Sequence, residues 1–329
     1  MIKNLLPKYY RILEKNEMPS YIKCKHISVD FNKKDSIDKL WHIHDQAIEK
    51  QKIKEKPPEQ SLLDLKTFLA EKIFEKCRFC ERKCQVDRTK NTGVCQVKEP
   101  HIASEFLHIG EEPVLIPSYT IFFSGCTFNC VFCQNWDISQ KIKGYYIHPD
   151  KLAEKIENKK QRGAKNVNWV GGDPTPNLPY ILKTLQKSDV YLPQIWNSNM
   201  YCSYETMKLL NQVIDLYLTD FKYGNDECAK KLSKVEKYTK ILQRNHKTAY
   251  QNGDIVVRHL VMPNHVECCS KPIMKWISNH ISDSVVNIMS QYRPEYNAKD
   301  YEDISRSVNR QEVKQVKRYA KKQGVHQTQ

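Results

Sequence analysis

Three cysteines, Cys126, Cys130 and Cys133, stand with three and then two residues between them in the run GCTFNCVFC. Thiolates are soft ligands that suit zinc, copper(I) and iron–sulfur centres. A closed structural zinc site needs four protein ligands. Three thiolates this close together can instead hold three corners of a [4Fe–4S] cube, which leaves the fourth iron open to a substrate. The competing assignment is a zinc site completed by a distant residue. Gly125, just ahead of Cys126, lets the chain turn sharply.

A second set lies upstream. CRFCERKCQVDRTKNTGVC supplies Cys77, Cys80, Cys84 and Cys95, with Gly93 two residues before the last. Four thiolates complete a metal site, either structural zinc or a second Fe–S cluster, and spacing does not separate the two. The N-terminus, MIKNLLPKYYRILEKNEMP, has no apolar core of signal-peptide length. A cytoplasmic protein is therefore expected, in which clustered thiols are metal ligands rather than disulfides. The other five of the twelve cysteines, Cys24, Cys202, Cys228, Cys268 and Cys269, are scattered and read as small packing residues.

The elements that must position these groups are legible as alternating runs. Strand-like segments fall at 119–125, 166–172, 192–199, 215–222, 254–263 and 285–291. Helical patterns fall at 150–163, from Pro176 onward, and at 203–212, 271–280 and 310–324. The first 75 residues are helix-rich, with a break at KEKPPEQS (54–61) and a helix capped by Ser61 leading into the first cysteine set. The alternation predicts an α/β fold, a partial (β/α)6 TIM-type barrel of parallel strands with an N-terminal helical and Cys-rich extension. In such a barrel the site lies at the C-terminal ends of the strands. The polar motifs sit there: the Cys126 loop, WVGGDPTP, WNSNMY, TDFK and VRHLVMPN.

CxxxCxxC with an aromatic residue, Phe132, before the last cysteine resembles the signature of the radical S-adenosylmethionine (SAM) superfamily. The resemblance implies that SAM chelates the open iron through its amino and carboxylate groups. One electron then splits the sulfonium, giving methionine and a 5′-deoxyadenosyl radical that abstracts hydrogen from a substrate. It also implies roles for the later motifs. Gly171 and Gly172 would present backbone carbonyls to the methionine ammonium, with Asp173 beside them. Asn197 and Ser198 would lie near the ribose, Asp220 and Lys222 would contact SAM or a bound cation, and Arg258 would pair with the SAM carboxylate. The upstream cysteine set resembles a pyruvate formate-lyase activating enzyme-like (PflX-like) subgroup. That implies a reducing electron donor of flavodoxin or ferredoxin type, and a protein partner on which a glycyl radical is made.

Domain bounds expected on this basis are an N-terminal helical extension (1–75), a Cys-rich metal-binding segment (76–117), a radical SAM core (118–300) and a C-terminal helical tail (301–329). The formal net charge is +15, with lysines spread through every segment rather than gathered in an aromatic–basic stripe. Nucleic acid is therefore not indicated as a partner, although a metal-binding nucleic-acid module is the reading from a different class. The longest apolar runs are strand-sized, far short of the roughly 18 residues that a membrane helix needs. The residues themselves do not name the hydrogen donor, which could equally be a small molecule, a peptide or RNA.

Overall fold

The computed structural model describes residues 2–110 and 112–328. Its centre is one eight-stranded sheet in sequential order. The strands are β1 (Ile102–His108), β2 (Ser118–Phe123), β3 (Val167–Gly171), β4 (Gln194–Ser198), β5 (Leu216–Asp220), β6 (Asp254–Leu260), β7 (Val285–Met289) and β8 (His326–Gln327). β2 through β7 are parallel, as the alternating pattern requires. They are the six strands read from the sequence. β4 is buried along its whole length and β2 at all but one position, which is why parallel strands read as unbroken apolar runs.

The sequence reading missed both edges. β1 lies antiparallel to β2, and β8 adds a short parallel pairing to β7. Two helices between β5 and β6 were also missed.

The helices are α1 (Ile2–Leu5), α2 (Pro7–Leu13), α3 (Ser20–His26), α4 (Ile37–Lys50), α5 (Leu62–Glu75), α6 (Trp136–Ser139), α7 (Pro149–Gln161), α8 (Leu178–Gln186), α9 (Tyr204–Leu210), α10 (Asp226–Ser233), α11 (Tyr238–Asn252), α12 (Lys271–His280) and α13 (Arg310–Lys322). Ser61 caps α5 in a capping box: its hydroxyl accepts from Asp64 N–H at 3.3 Å and Asp64 Oδ2 accepts from Ser61 N–H at 2.8 Å. Leu62, Leu63, Leu65, Leu69 and Ile73 of this helix are fully buried. Each such side chain stabilises the fold by roughly 1.5–3 kcal/mol. Pro149 opens α7, where its missing N–H is no loss.

The N-terminal helices close the floor of the barrel. Leu6 and Tyr9 pack with Ile195, Leu216, Leu218 and Val256, the inward residues of β4 to β6. Polar groups at the strand starts fix the fit. Tyr9 N–H donates to Asp254 Oδ2 at 2.7 Å, Ser20 N–H to Asp215 Oδ1 at 2.9 Å, and Asn166 Nδ2 to Tyr9 Oη at 2.9 Å. With the floor sealed, access is left to the opposite end, where the strands finish. At the far end of the chain, α13 packs on α12 and buries Val316 and Ala320 against it. Among the described residues no helix is long and apolar enough to cross a membrane.

Candidate functional site

The strands β2 to β7 converge on a cavity of about 520 Å³ at their C-terminal ends. Cys126, Cys130 and Cys133 form one wall, on the loop that leaves β2. The loop turns out of the strand through Gly125, whose φ is +86°. A Cβ there would lie 2.3 Å from Val97 Cγ2 and 2.6 Å from the Cys95 carbonyl oxygen, so only glycine fits. The sulfurs are surrounded by hydrogen-bonding groups. Phe128 N–H donates to Cys126 Sγ at 3.4 Å, and Asn199 Nδ2 approaches the same sulfur at 3.8 Å. Cys130 Sγ and Ser233 Oγ are 2.9 Å apart, and Ser233 Oγ is 2.6 Å from Tyr223 Oη. Burial pushes all three thiols up, Cys130 to about 12, and the neighbouring sulfurs add to the effect on Cys126 and Cys130. Thiolates in this pocket therefore need a cation to compensate them, which is the service a bound iron centre performs.

The glycines after β3 serve close packing. Gly171 has φ +129°, and a Cβ on it would sit 2.1 Å from the Phe123 carbonyl oxygen. A Cβ on Gly172 would sit 2.2 Å from the Gly125 carbonyl oxygen. Gly172 N–H donates to Phe123 O at 2.8 Å and Asp173 N–H to Gly125 O at 3.0 Å, so the glycine turn is stitched onto the cysteine loop. Both glycines also line the cavity.

Asp173 sits behind this wall, with 1% of its surface exposed. Its Oδ2 accepts from Thr127 Oγ at 2.7 Å, and its Oδ1 accepts from Ser198 Oγ at 3.0 Å and from Thr175 N–H and Oγ. One carboxylate thus ties the cysteine loop to the ends of β3 and β4. Asn199, which the sequence reading passed over, completes the tie: its Nδ2 donates to Thr127 Oγ at 2.9 Å. The only sequence signal for it was its place in WNSNMY.

Across the cavity, Asp220, Lys222, Arg258 and Asn197 form one network. Lys222 Nζ reaches Asp220 Oδ2 at 2.5 Å. Arg258 donates from Nε to Asp220 Oδ1 at 3.0 Å and from Nη2 to Asn197 Oδ1 at 2.5 Å. β5 and β6 pair Asp220 with Arg258 directly, which sets the contact by register. Burial pushes Asp220 up, but the Arg258 and Lys222 charges outweigh it and hold the carboxyl below its ordinary range. Burial likewise presses Lys222 down, and Asp220 more than offsets that. Asn197 keeps a buried Nδ2 with no partner, a donor left over for a ligand. Phe132 also lines the cavity, its ring tilted against Tyr292 at 5.8 Å.

Three thiols on one loop, a spare amide donor and a cation-bearing wall fit an Fe–S cluster with an amino-acid-bearing ligand beside it. Of the residues near the last strand, Gln291 reaches the cavity, Tyr292 is buried with its hydroxyl on Ile304 O at 2.7 Å, and Arg293 points to solvent toward Glu295.

Cys77, Cys80, Cys84 and Cys95 are also brought together. Burial pushes the Cys80 thiol up and the sulfurs of Cys95, Cys77 and Cys84 add to that rise. Left-handed turns at Lys83, Gln85 and Gln96 wrap the chain around the group. This segment is bolted to the cavity wall. Arg82 Nε donates to Thr127 O at 2.7 Å, Ser203 N–H to Phe79 O at 2.8 Å, and Cys80 pairs with Cys202 as an isolated bridge. The buried Arg88 guanidinium stacks 4.4 Å from the Phe74 ring centre and donates to Val97 O and Pro176 O, both at 2.8 Å.

The profile of the Radical SAM superfamily matches residues 120–277, the stretch that carries the cysteine loop and β2 to β6. An uncharacterised protein of Methanocaldococcus jannaschii is 46% identical over 330 residues, covering 95% of this chain and 96% of that protein. Among solved structures, the chain is similar to HydG, a maturase of the [FeFe]-hydrogenase (TM-score 0.48, 15% identity, 98% of this chain and 66% of that one). It is also similar to methylornithine synthase (0.47, 13%, 97% and 78%) and to Streptococcus suis SuiB bound to its precursor peptide (0.45, 15%, 62% and 45%). The chain spans less than half the length of SuiB. The chain carries a Radical SAM superfamily domain over residues 120–277 and belongs to the same family as the M. jannaschii protein.

Proposed function

We propose that Cys126, Cys130 and Cys133 hold a [4Fe–4S] cluster and that the cavity beside them binds SAM. When bound, that pair supplies one-electron cleavage of SAM to methionine and a 5′-deoxyadenosyl radical, with the electron coming from a flavodoxin- or ferredoxin-type donor. The single observation that carries the reading is the facing of three thiols on one wall by the Asp220–Lys222–Arg258–Asn197 network on the other.

The chain's own residues divide the work. Arg258 offers a guanidinium whose planar fork suits a carboxylate. The Asn197 amide offers a donor to the cavity, the Ser198 hydroxyl beside it is held by Asp173 and Met200 N–H, and Gly171 and Gly172 let backbone approach a ligand closely. Asp173 acts as a positioning residue, because its oxygens are occupied by Thr127, Thr175 and Ser198. Phe132, its ring backed by the buried Tyr292, gives the cavity an apolar side beside Cys133. Cys77, Cys80, Cys84 and Cys95 hold a second metal centre, zinc or Fe–S, whose task is to brace the cysteine loop through Arg82 and the segment after β4 through the Cys80–Cys202 backbone pairing.

Within this chemistry the subgroup resemblance favours a glycyl-radical activase acting on a protein. The test is the anaerobic, reconstituted protein with SAM and a strong reductant. Formation of 5′-deoxyadenosine is expected, and its absence in a sample with an intact cluster contradicts the reading. A glycyl radical signal on a candidate partner protein decides the activase assignment.

A further inference from the structure

Cys228, Cys268 and Cys269 read as scattered packing residues in the sequence. The structure brings their sulfurs together instead, all within 4.8 Å of one another. Cys228 lies in the first turn of α10, just after β5. Cys268 and Cys269 lie in a π turn, Val266–Ser270, just after β6. Because β5 and β6 are neighbours, residues 40 apart in sequence meet over the same end of the barrel. The Cys228–Cys268 sulfur distance is 4.0 Å and the Cys268–Cys269 distance is 3.8 Å. A tetrahedron with metal–sulfur bonds of about 2.3 Å has edges of about 3.8 Å. Two of the three sulfur pairs therefore already stand at the spacing that one tetrahedral ion imposes, and the third lies within 4.8 Å. Thiols at separate corners of an iron–sulfur cube would splay further apart, by an iron–iron edge and its outward bonds.

A candidate fourth donor stands beside the three sulfurs. His265 is buried, and its Nδ1 lies 2.8 Å from the Pro263 carbonyl. That contact fixes Nδ1 as the protonated nitrogen and leaves Nε2 as the ligating atom, the arrangement that metal-binding imidazoles use, with Asp303 Oδ2 3.6 Å from Nε2. The imidazole is within hydrogen-bonding reach of Cys228. The surroundings also fit. Asn225 Nδ2 points at Cys269 Sγ at 3.9 Å, and Gly224 N–H donates to the same sulfur. Gly224 is forced by the packing: a Cβ on it would lie 2.7 Å from the Cys268 carbonyl oxygen. Cys268 is exposed, which gives an ion a way in.

We propose that Cys228, Cys268, Cys269 and His265 form a site for a single soft divalent cation of the zinc class, separate from both other cysteine centres. Three thiolates and one imidazole are an established ligand set for tetrahedral zinc. The ion would clamp the loop after β5 to the loop after β6, the two strands that carry Asp220 and Arg258.

The test uses the full-length chain, reduced, loaded with zinc alone and desalted, beside a Cys228→Ser/Cys268→Ser variant. The wild type should retain one more zinc per chain than the variant. In the wild type alone, added zinc should shield Cys228 and Cys268 from iodoacetamide, read peptide by peptide. Equal zinc in the two folded proteins, or alkylation at both cysteines that zinc does not slow, overturns the proposal. The alkylation arm needs no variant, so a failure of the variant to fold leaves the proposal testable. Neither readout depends on SAM cleavage.

Discussion

The carbonyl oxygen of Cys95 lies 2.6 Å from the point that a Cβ on Gly125 would occupy. The last cysteine of the upstream set therefore rests against the hinge of the loop that carries Cys126. Gly125 is thus packed between the two cysteine segments, and a side chain added there pushes on both.

Gly125→Ala tests that contact. The added methyl meets Val97 and the Cys95 backbone, and the residue must keep φ at +86°. The left-handed conformation alone costs about 1–2 kcal/mol, and displacing backbone adds to it. The variant should unfold at least about 2 kcal/mol more easily and lose metal from both cysteine sets, measured by thermal unfolding and metal counting. Wild-type stability and metal content would remove the mechanical coupling.

Cys80→Ser separates bracing from chemistry. Loss of one ligand should empty the upstream centre and lower the melting temperature. The cluster at Cys126, Cys130 and Cys133 should keep its iron in the protein that remains folded. Complete iron loss from a folded variant would contradict the assignment of two separate centres.

Arg258→Lys probes the cation-bearing wall. Lysine keeps the charge but loses the fork that reaches Asp220 and Asn197 together. SAM affinity should fall roughly tenfold or more, equivalent to about 1.4 kcal/mol, with the cluster's iron unchanged. Equal SAM binding by the variant would place the ligand elsewhere in the cavity.

Lys66 gives a pH signature. It is fully buried, with Nζ 2.9 Å from both His44 Nε2 and the Lys208 carbonyl oxygen. Burial pushes it down to about 8, whereas an unfolded lysine titrates near 10.4. Between those values the unfolded chain holds more protons, so this residue makes stability rise with pH, by about 3 kcal/mol in total. The difference in unfolding free energy between wild type and Lys66→Gln should shift in favour of the wild type from about pH 7 to about pH 10. Thiol ionisation is common to both proteins and cancels. A difference that is flat with pH would contradict the account.

Much of the core was legible because chemistry and strand ends coincide. TIFF, VNWV, LYL and IVV are buried on both faces and end on polar motifs. β1 was hidden because Glu105 interrupts an edge strand, where it pairs with Lys155 and Lys159. α10 and α11 hide their helical spacing because polar Ser233, Asn245 and His246 share the buried faces with Ala229, Leu232, Ile241 and Leu242. The nearness of Cys228 to Cys268 is a product of register between β5 and β6, and no local pattern encodes it. Asp173 was legible as a motif residue, but only the fold reveals that Thr127, Thr175 and Ser198 consume its oxygens.

The central claim is tested most directly by 5′-deoxyadenosine formation in wild type beside Cys130→Ala, each anaerobic, reconstituted and checked for fold. Deoxyadenosine from the wild type and none from the variant, with the variant's iron reduced by about four per chain, is the predicted result. Equal deoxyadenosine from both proteins would contradict the assignment of Cys126, Cys130 and Cys133 as the cluster ligands.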